Sequence, residues 1–173
     1  MNEHIRQLLD ELPTEAQDLA TNIERIWKEE SLSPDQRWGV ALAAVQFIGH
    51  PRLLEAWRQA AEAEKVEAAI QSDARAAAII MGMNTVYFRF RHLAKAGEYA
   101  KMPPNLRMTR MKQVATTLTL FELFSMGPAA LAGCALCVEV HEAALLKDGV
   151  SREQIHDAVR LASVLQGLAV ALR

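Results

Sequence analysis

Apolar residues recur along the chain at intervals of three and four, the spacing of one face of an α-helix. Ile5, Leu8, Leu9 and Leu12 mark a first short helix, which Pro13 closes. Leu19, Ile23, Ile26 and Trp27 mark a second. Ser33 is a capping residue ahead of Pro34, a residue suited to the first helical position. Trp38, Leu42, Val45 and Ile48 carry that third helix to Gly49-His50-Pro51, and a fourth follows with Leu53, Leu54 and Trp57. From about Ser72 to His92 the chain is apolar nearly all round, which predicts a central buried helix. Within it, Met81-Gly82-Met83 reads as core packing, with Gly82 allowing close helix approach. Lys101-Met102-Pro103-Pro104 is the clear break. Beyond it, Arg107 to Ala132 predicts two helical stretches, the second carrying Leu118, Phe121, Glu122 and Met126. Ser151-Arg152-Glu153-Gln154 is a capping box for a last helix whose Ile155, Val159, Ala162 and Leu165 face inward. No segment alternates with a period of two, so the fold class is all-α.

A weak internal repeat runs through this pattern. Trp38, Gly49, Leu53 and Trp57 stand about 84 positions before Glu122, Gly133, Cys137 and His141. Both halves offer a helix, a glycine hinge, a second helix and a later alanine-rich helix. The physical reading is a duplicated helical unit whose second copy holds the polar chemistry. Chance similarity between alanine-rich helices would look much the same.

That chemistry lies in Gly133-Cys134-Ala135-Leu136-Cys137-Val138-Glu139-Val140-His141-Glu142, which holds the only two cysteines of the chain. As a helix turning about 100° per residue, it places Cys134, Cys137 and His141 within roughly 60° of one another. Val138 and Leu145 share the stripe, so the sulfurs and the imidazole face inward, while Glu139 and Asp148 point to water. An imidazole four residues after Cys137 can take or share its proton, and the thiolate is the reactive form. Gly133 puts Cys134 near a helix N-terminus, where partial positive charge also favours a thiolate. The two effects favour different sulfurs, and residue spacing leaves the attacking one open. Glu122 sits among Leu118, Leu120, Phe121, Leu123 and Phe124, where a carboxylate is costly unless paired or solvated. If the chain turns back at Gly133, Glu122 lies roughly 16 Å before the turn and His141 roughly 12 Å after it. The two are then about 4 Å apart along the hairpin, within reach directly or through one water, unless Pro128 bends the first arm. A Glu–His–Cys line is a proton relay.

The bland alternative is a pair of buried structural cysteines, which the neighbouring histidine and carboxylate disfavour. Zinc is the next competitor, but its ligands would have to converge from one short helix, and no second C-x-x-C or H-x-x-x-H is present. The reading therefore calls for no metal and no bound cofactor. His50, His92 and His156 are assigned no role. With 173 residues, 51% of them hydrophobic, the chain can fill one domain spanning 1–173 with a substantial core. A formal net charge of -2 with interspersed signs points to neither nucleic acid nor a membrane surface. No apolar run approaches the roughly 20 residues of a membrane span. Met1-Asn2-Glu3-His4 lacks the basic start of a signal peptide, and one close cysteine pair suits cytoplasmic redox chemistry.

Phe121-Glu122-Leu123 followed by Gly133-Cys134-x-x-Cys137-x-x-x-His141-Glu142 resembles the alkylhydroperoxidase AhpD family, within the carboxymuconolactone decarboxylase-like superfamily. The stretch from Ala78 to Asn84, Arg89, Arg91 and Leu106-Arg107-Met108 are similar as well, so the resemblance covers most of the chain. It implies an all-helical fold with a duplicated unit, assembled as a homo-oligomer, a trimer or a multiple of it. It also implies a thiol peroxidase acting on organic hydroperoxides and hydrogen peroxide. On this precedent Cys137 is the peroxide-attacking thiol, Cys134 resolves it as a disulfide, His141 is the base, and Glu122 relays protons to His141 through water. The reductant implied is a lipoyl-bearing protein. Apart from that precedent, inward-facing sulfurs favour a thin reductant over a bulky one, and Phe121, Leu123, Phe124, Leu136 and Val140 are the apolar candidates for lining its cleft. One departure stands out: family members carry a histidine immediately before the second cysteine, and here that position is Leu136. It leaves room for a general thiol-disulfide oxidoreductase or a redox sensor of the same fold.

Overall fold

Helix ends, more than helix interiors, decide where this chain turns. The computed structural model describes residues 1–94 and 97–173. Two peripheral helices come first, α1 (Glu3–Asp10) and α2 (Gln17–Lys28), separated by a single 3-10 turn at Thr14–Ala16. They are followed by α3 (Pro34–Ile48), α4 (Pro51–Ala63) and the long α5 (Ala68–Leu93). Then come the short α6 (Glu98–Lys101) and a 3-10 turn at Thr109–Lys112, and finally α7 (Leu118–Leu131), α8 (Ala135–Lys147) and α9 (Arg152–Ala171). No strand occurs among the described residues, and the all-α reading holds. No described helix is long and apolar enough to cross a membrane.

The repeat is present in the backbone. Displaced by about 84 positions, α4 coincides with α8 at both ends, and α3 and α5 begin where α7 and α9 begin. The closing turns recur too. Val66 N–H donates to the Ala61 carbonyl at 2.9 Å, and Val150 N–H donates to that of Leu145 at 3.0 Å. In each turn the preceding residue takes a left-handed conformation, Lys65 at φ 55° and Gly149 at φ 84°. The cap expected at Ser33 and the capping box expected at Ser151 both form, and Ser33 too makes a full capping box, with Gln36.

A buried aspartate in the third helix of each unit ties the two units together. Asp73 of α5 accepts the N–H groups of Ala115 (2.9 Å) and Thr116 (2.8 Å), the Thr116 hydroxyl (2.7 Å) and Arg110, all just ahead of α7. Asp157 of α9 accepts the Ser31 hydroxyl, just ahead of α3, and Arg160 at 2.7 Å. Each unit therefore holds the segment that launches the other. Burial by itself would push both carboxyls up, but these donors outweigh it and hold both below the ordinary carboxylate range.

Three expectations change. The long helix starts at Ala68, and it is not buried all round: Ile79, Val86, Phe90 and Leu93 form an exposed apolar stripe, while Ala74, Ala77, Ala78 and Met81 face the interior. Its composition is apolar on both faces, so periodicity could not show which one packs. Gly82 faces open space and mediates no close approach. Gly39 does so instead, since the Phe124 ring occupies the place a Cβ would take. Finally, the stretch after Arg107 forms only a 3-10 turn ahead of α7, and beyond that turn Ala115 and Thr116 give their N–H groups to Asp73.

Candidate active site

The dithiol is positioned by a tight helix-to-helix turn. At the end of α7, Gly133 N–H donates to the Ala130 carbonyl (2.9 Å) and Cys134 N–H to that of Ala129 (3.2 Å). This closure needs a left-handed residue, supplied by Gly133 at φ 63°. Arg89 of α5 donates to the Ala132 carbonyl beside it. Cys134 then becomes the N-cap of α8, its sulfur accepting the Cys137 N–H at 3.3 Å. Cys134 and Cys137 are joined as a disulfide, with Cα atoms 5.2 Å apart. The pair packs with Met81 and Ala129 in a small apolar cluster apart from the main core.

Cys137, His141 and Leu145 are the buried residues of α8, as the stripe predicts, while Glu139 and Asp148 are exposed. Glu122 and His141 meet directly: Oε2 of the carboxylate lies 2.5 Å from Nδ1 of the imidazole, with no water between. The helical assignment of α7 runs unbroken through Pro128, so the hairpin estimate survives its proline. The carboxylate can only accept, so Nδ1 carries the proton and the lone pair of the neutral ring sits on Nε2. The pairing also satisfies a carboxylate that is almost fully buried.

The two sulfurs are not equivalent. Cys134 is 1% exposed and faces the α7–α8 turn. Cys137, 7% exposed, borders a cleft of about 260 Å³ together with His141. The α8 side of that cleft also carries Leu136 and Val140, both exposed at its rim. The opposite wall is Met81, Asn84 and Phe88 of α5, and Met108 and Met111 close it. Of the apolar candidates expected to line the cleft, Leu136 and Val140 do so. Phe121, Leu123 and Phe124 lie in the main core instead, because α7 turns that face toward the other helices of the bundle.

Known proteins are similar to this chain over most of its length. Residues 97–173 match the carboxymuconolactone decarboxylase family. The chain is 44% identical over 161 residues to the alkyl hydroperoxide reductase AhpD of Anaeromyxobacter sp. (strain K), covering 93% of this chain and 86% of that one. It is 39% identical over 168 residues to the AhpD of Maricaulis maris (strain MCS10), covering 97% and 96%. To the AhpD of Coxiella burnetii (strain Dugway 5J108-111) it is 41% identical over 163 residues, covering 92% of each. The chain belongs to the AhpD family of oxidoreductases. In this chain the Glu–Cys–Cys–His motif is visible in sequence, whereas the α5 wall of the cleft is not. Asn84 and Phe88 belong to a conspicuous Met-Gly-Met-Asn run, but nothing in their spacing says which helix they will face.

Proposed function

We propose that this protein is a thiol peroxidase that reduces organic hydroperoxides, and hydrogen peroxide, through its Cys134–Cys137 pair. The observation that carries the reading is the position of Cys137. It is the cysteine that borders an apolar cleft, and it shares that border with an imidazole already oriented by Glu122. In the reduced enzyme, Nε2 of His141 takes the Cys137 proton. The thiolate attacks the terminal peroxide oxygen; the S–O bond forms, the O–O bond breaks, and the departing alkoxide leaves as the alcohol with the proton from His141. Cys137 is left as a sulfenic acid. The Cys134 sulfur then attacks Cys137, the S–S bond forms, and hydroxide leaves as water with the Cys134 proton. Two thiols have become a disulfide, and one hydroperoxide has become an alcohol and water.

Reduction runs from the same side. An incoming thiolate attacks the cleft-facing sulfur of Cys137 and expels Cys134, whose charge the Cys137 N–H and the start of α8 stabilise. The reductant we assign is a lipoyl group on a partner protein, because the cleft is apolar and the sulfurs are almost wholly covered. The same reading includes a homo-oligomer, a trimer or a multiple of it. The exposed stripe of Ile79, Val86, Phe90 and Leu93 offers apolar surface of the kind subunits cover, and sedimentation of the purified chain tests this.

Peroxide consumption in excess dihydrolipoamide decides the main point. Sustained turnover is expected; a single stoichiometric oxidation would instead make the pair a redox sensor. Stopped-flow reduction of the disulfide should be faster with a lipoylated domain than with thioredoxin at equal concentration. The opposite order would remove the lipoyl partner from the reading.

A further inference from the structure

The cleft beside Cys137 contains a polar side chain that the dithiol chemistry leaves unused. Asn84 stands on α5 with Met81 one turn before it and Phe88 one turn after it, all three on the cleft wall opposite α8. Asn84 is 6% exposed, and its amide oxygen is buried without a hydrogen-bond partner. The amide nitrogen is not among the buried unpaired atoms and so is the amide atom open to the cleft. Neighbouring Thr85, by contrast, satisfies itself on the Met81 carbonyl at 2.7 Å. A buried amide oxygen left unpaired costs free energy, and an apolar side chain of similar size would avoid that cost. The other polar groups on the cleft wall are Cys137 and His141, and His141 already spends Nδ1 on Glu122.

We infer that Asn84 positions the hydroperoxide group for attack, by a hydrogen bond through the amide atom that meets the cleft. A hydroperoxide carries both an O–H donor and oxygen acceptors, so either amide atom finds a partner on it. The complementarity does not depend on which amide atom points which way, since the peroxide can be approached from either side. Docked on α5 in this way, the O–O group lies across the cleft from Cys137, and its organic substituent rests among Met81, Phe88 and Met111. Alignment of the O–O bond with the attacking sulfur is what displacement at oxygen requires. The inference rests on the peroxidase reading and names the residue that gives it preference for a peroxide over other electrophiles.

The test uses the pre-reduced full-length protein in single turnovers. Cumene hydroperoxide is one oxidant. The other is 4,4′-dithiodipyridine, a disulfide that needs the same thiolate and the same access but offers no O–H. For Asn84→Leu the expected result is a loss of roughly tenfold in the hydroperoxide rate, the upper range for losing one oriented hydrogen bond, with the dithiodipyridine rate unchanged. Thermal unfolding should show no loss of stability, since an unpaired polar group has been removed. Asn84→Ala is the second variant should leucine disturb packing. Equal hydroperoxide rates in wild type and variant overturn the inference and leave the peroxidase reading standing. A parallel loss with both oxidants overturns it as well, because the effect would then lie in thiolate formation or access. If wild-type protein reacts with dithiodipyridine but not with hydroperoxide, the peroxidase reading fails and this inference fails with it.

Discussion

The unit formed by α3, α4 and α5 and the unit formed by α7, α8 and α9 place different residues at the same stations of one plan. At the N-cap of the second helix stands His50 in one and Cys134 in the other. Each accepts the backbone N–H three residues on, at 3.4 Å from Leu53 and at 3.3 Å from Cys137. One turn in, Leu53 fills core where Cys137 borders the cleft. One turn further, Trp57 fills core where His141 meets Glu122, and the station of Glu122 is held by Trp38, stacked edge-on against Trp27. The backbone task is the same in both units; only the side-chain task differs. A cap needs any acceptor, and sulfur and imidazole nitrogen both serve. A reactive thiol additionally needs a base and an opening, and in the second unit Cys137 and His141 border one cleft.

The largest expected effect tests whether the chemistry resides in one residue of that pair of units. Cys137→Ser should abolish peroxide reduction, whereas Cys134→Ser should still be oxidised once, to a sulfenic acid on Cys137 that dimedone traps. A sulfenic acid trapped only on Cys134 in the Cys137→Ser variant would reverse the two roles.

Next in size is the reciprocal clasp. Asp73→Asn should lower stability by about 3 kcal/mol or more in urea unfolding, because an amide turns a donor toward Arg110 and the N–H groups of Ala115 and Thr116. Asp157→Asn should cost less, having fewer backbone donors to strand. The clasp also predicts a pH profile. Burial opposes ionisation of both carboxyls, yet their hydrogen bonds hold the folded values below the unfolded one. The unfolded chain therefore binds more protons as pH falls past about 3.9, so this stability is complete above that pH and is lost below it. The acid loss should be shallower in either variant. A profile of unchanged steepness in both would show that the clasp contributes no acid sensitivity.

Glu122→Gln is expected to slow alkylation of Cys137 at neutral pH by roughly tenfold or more, the lower range for a group acting in proton transfer. The fold should be retained, since glutamine can still pair with the imidazole. An unchanged alkylation rate in the folded variant would reduce Glu122 to a purely structural partner of His141, much as Trp38 serves only packing in the first unit.

The smallest effect concerns the closing turn, where Lys65 and Gly149 share a left-handed conformation. A side chain there costs about 1 kcal/mol, so Lys65→Gly should stabilise by roughly 0.5 to 1 kcal/mol and Gly149→Ala should destabilise by about as much. Opposite signs in chemical denaturation are the expected signature; equal signs would mean that the two turns are held differently.

Helical periodicity, the helix caps at Ser33 and Ser151 and the Glu122–Cys134–Cys137–His141 set were all legible from local spacing. So was the approach of Glu122 to His141, because a hairpin with a known rise per residue converts sequence separation into distance. The repeat was visible as four matched positions, although only the matching turn hydrogen bonds separated it from chance. Tertiary packing alone decided the rest. It chose which face of α5 meets α8, and so put Asn84, Met81 and Phe88 across from the sulfurs. It drew Phe121 and Phe124 into the core and away from the cleft. It also set Asp73 and Asp157 on the segments of opposite units. The reason is physical: spacing along one helix orders residues around its axis, but which neighbour each face meets depends on how all the helices fill space together, and that is settled only when they pack.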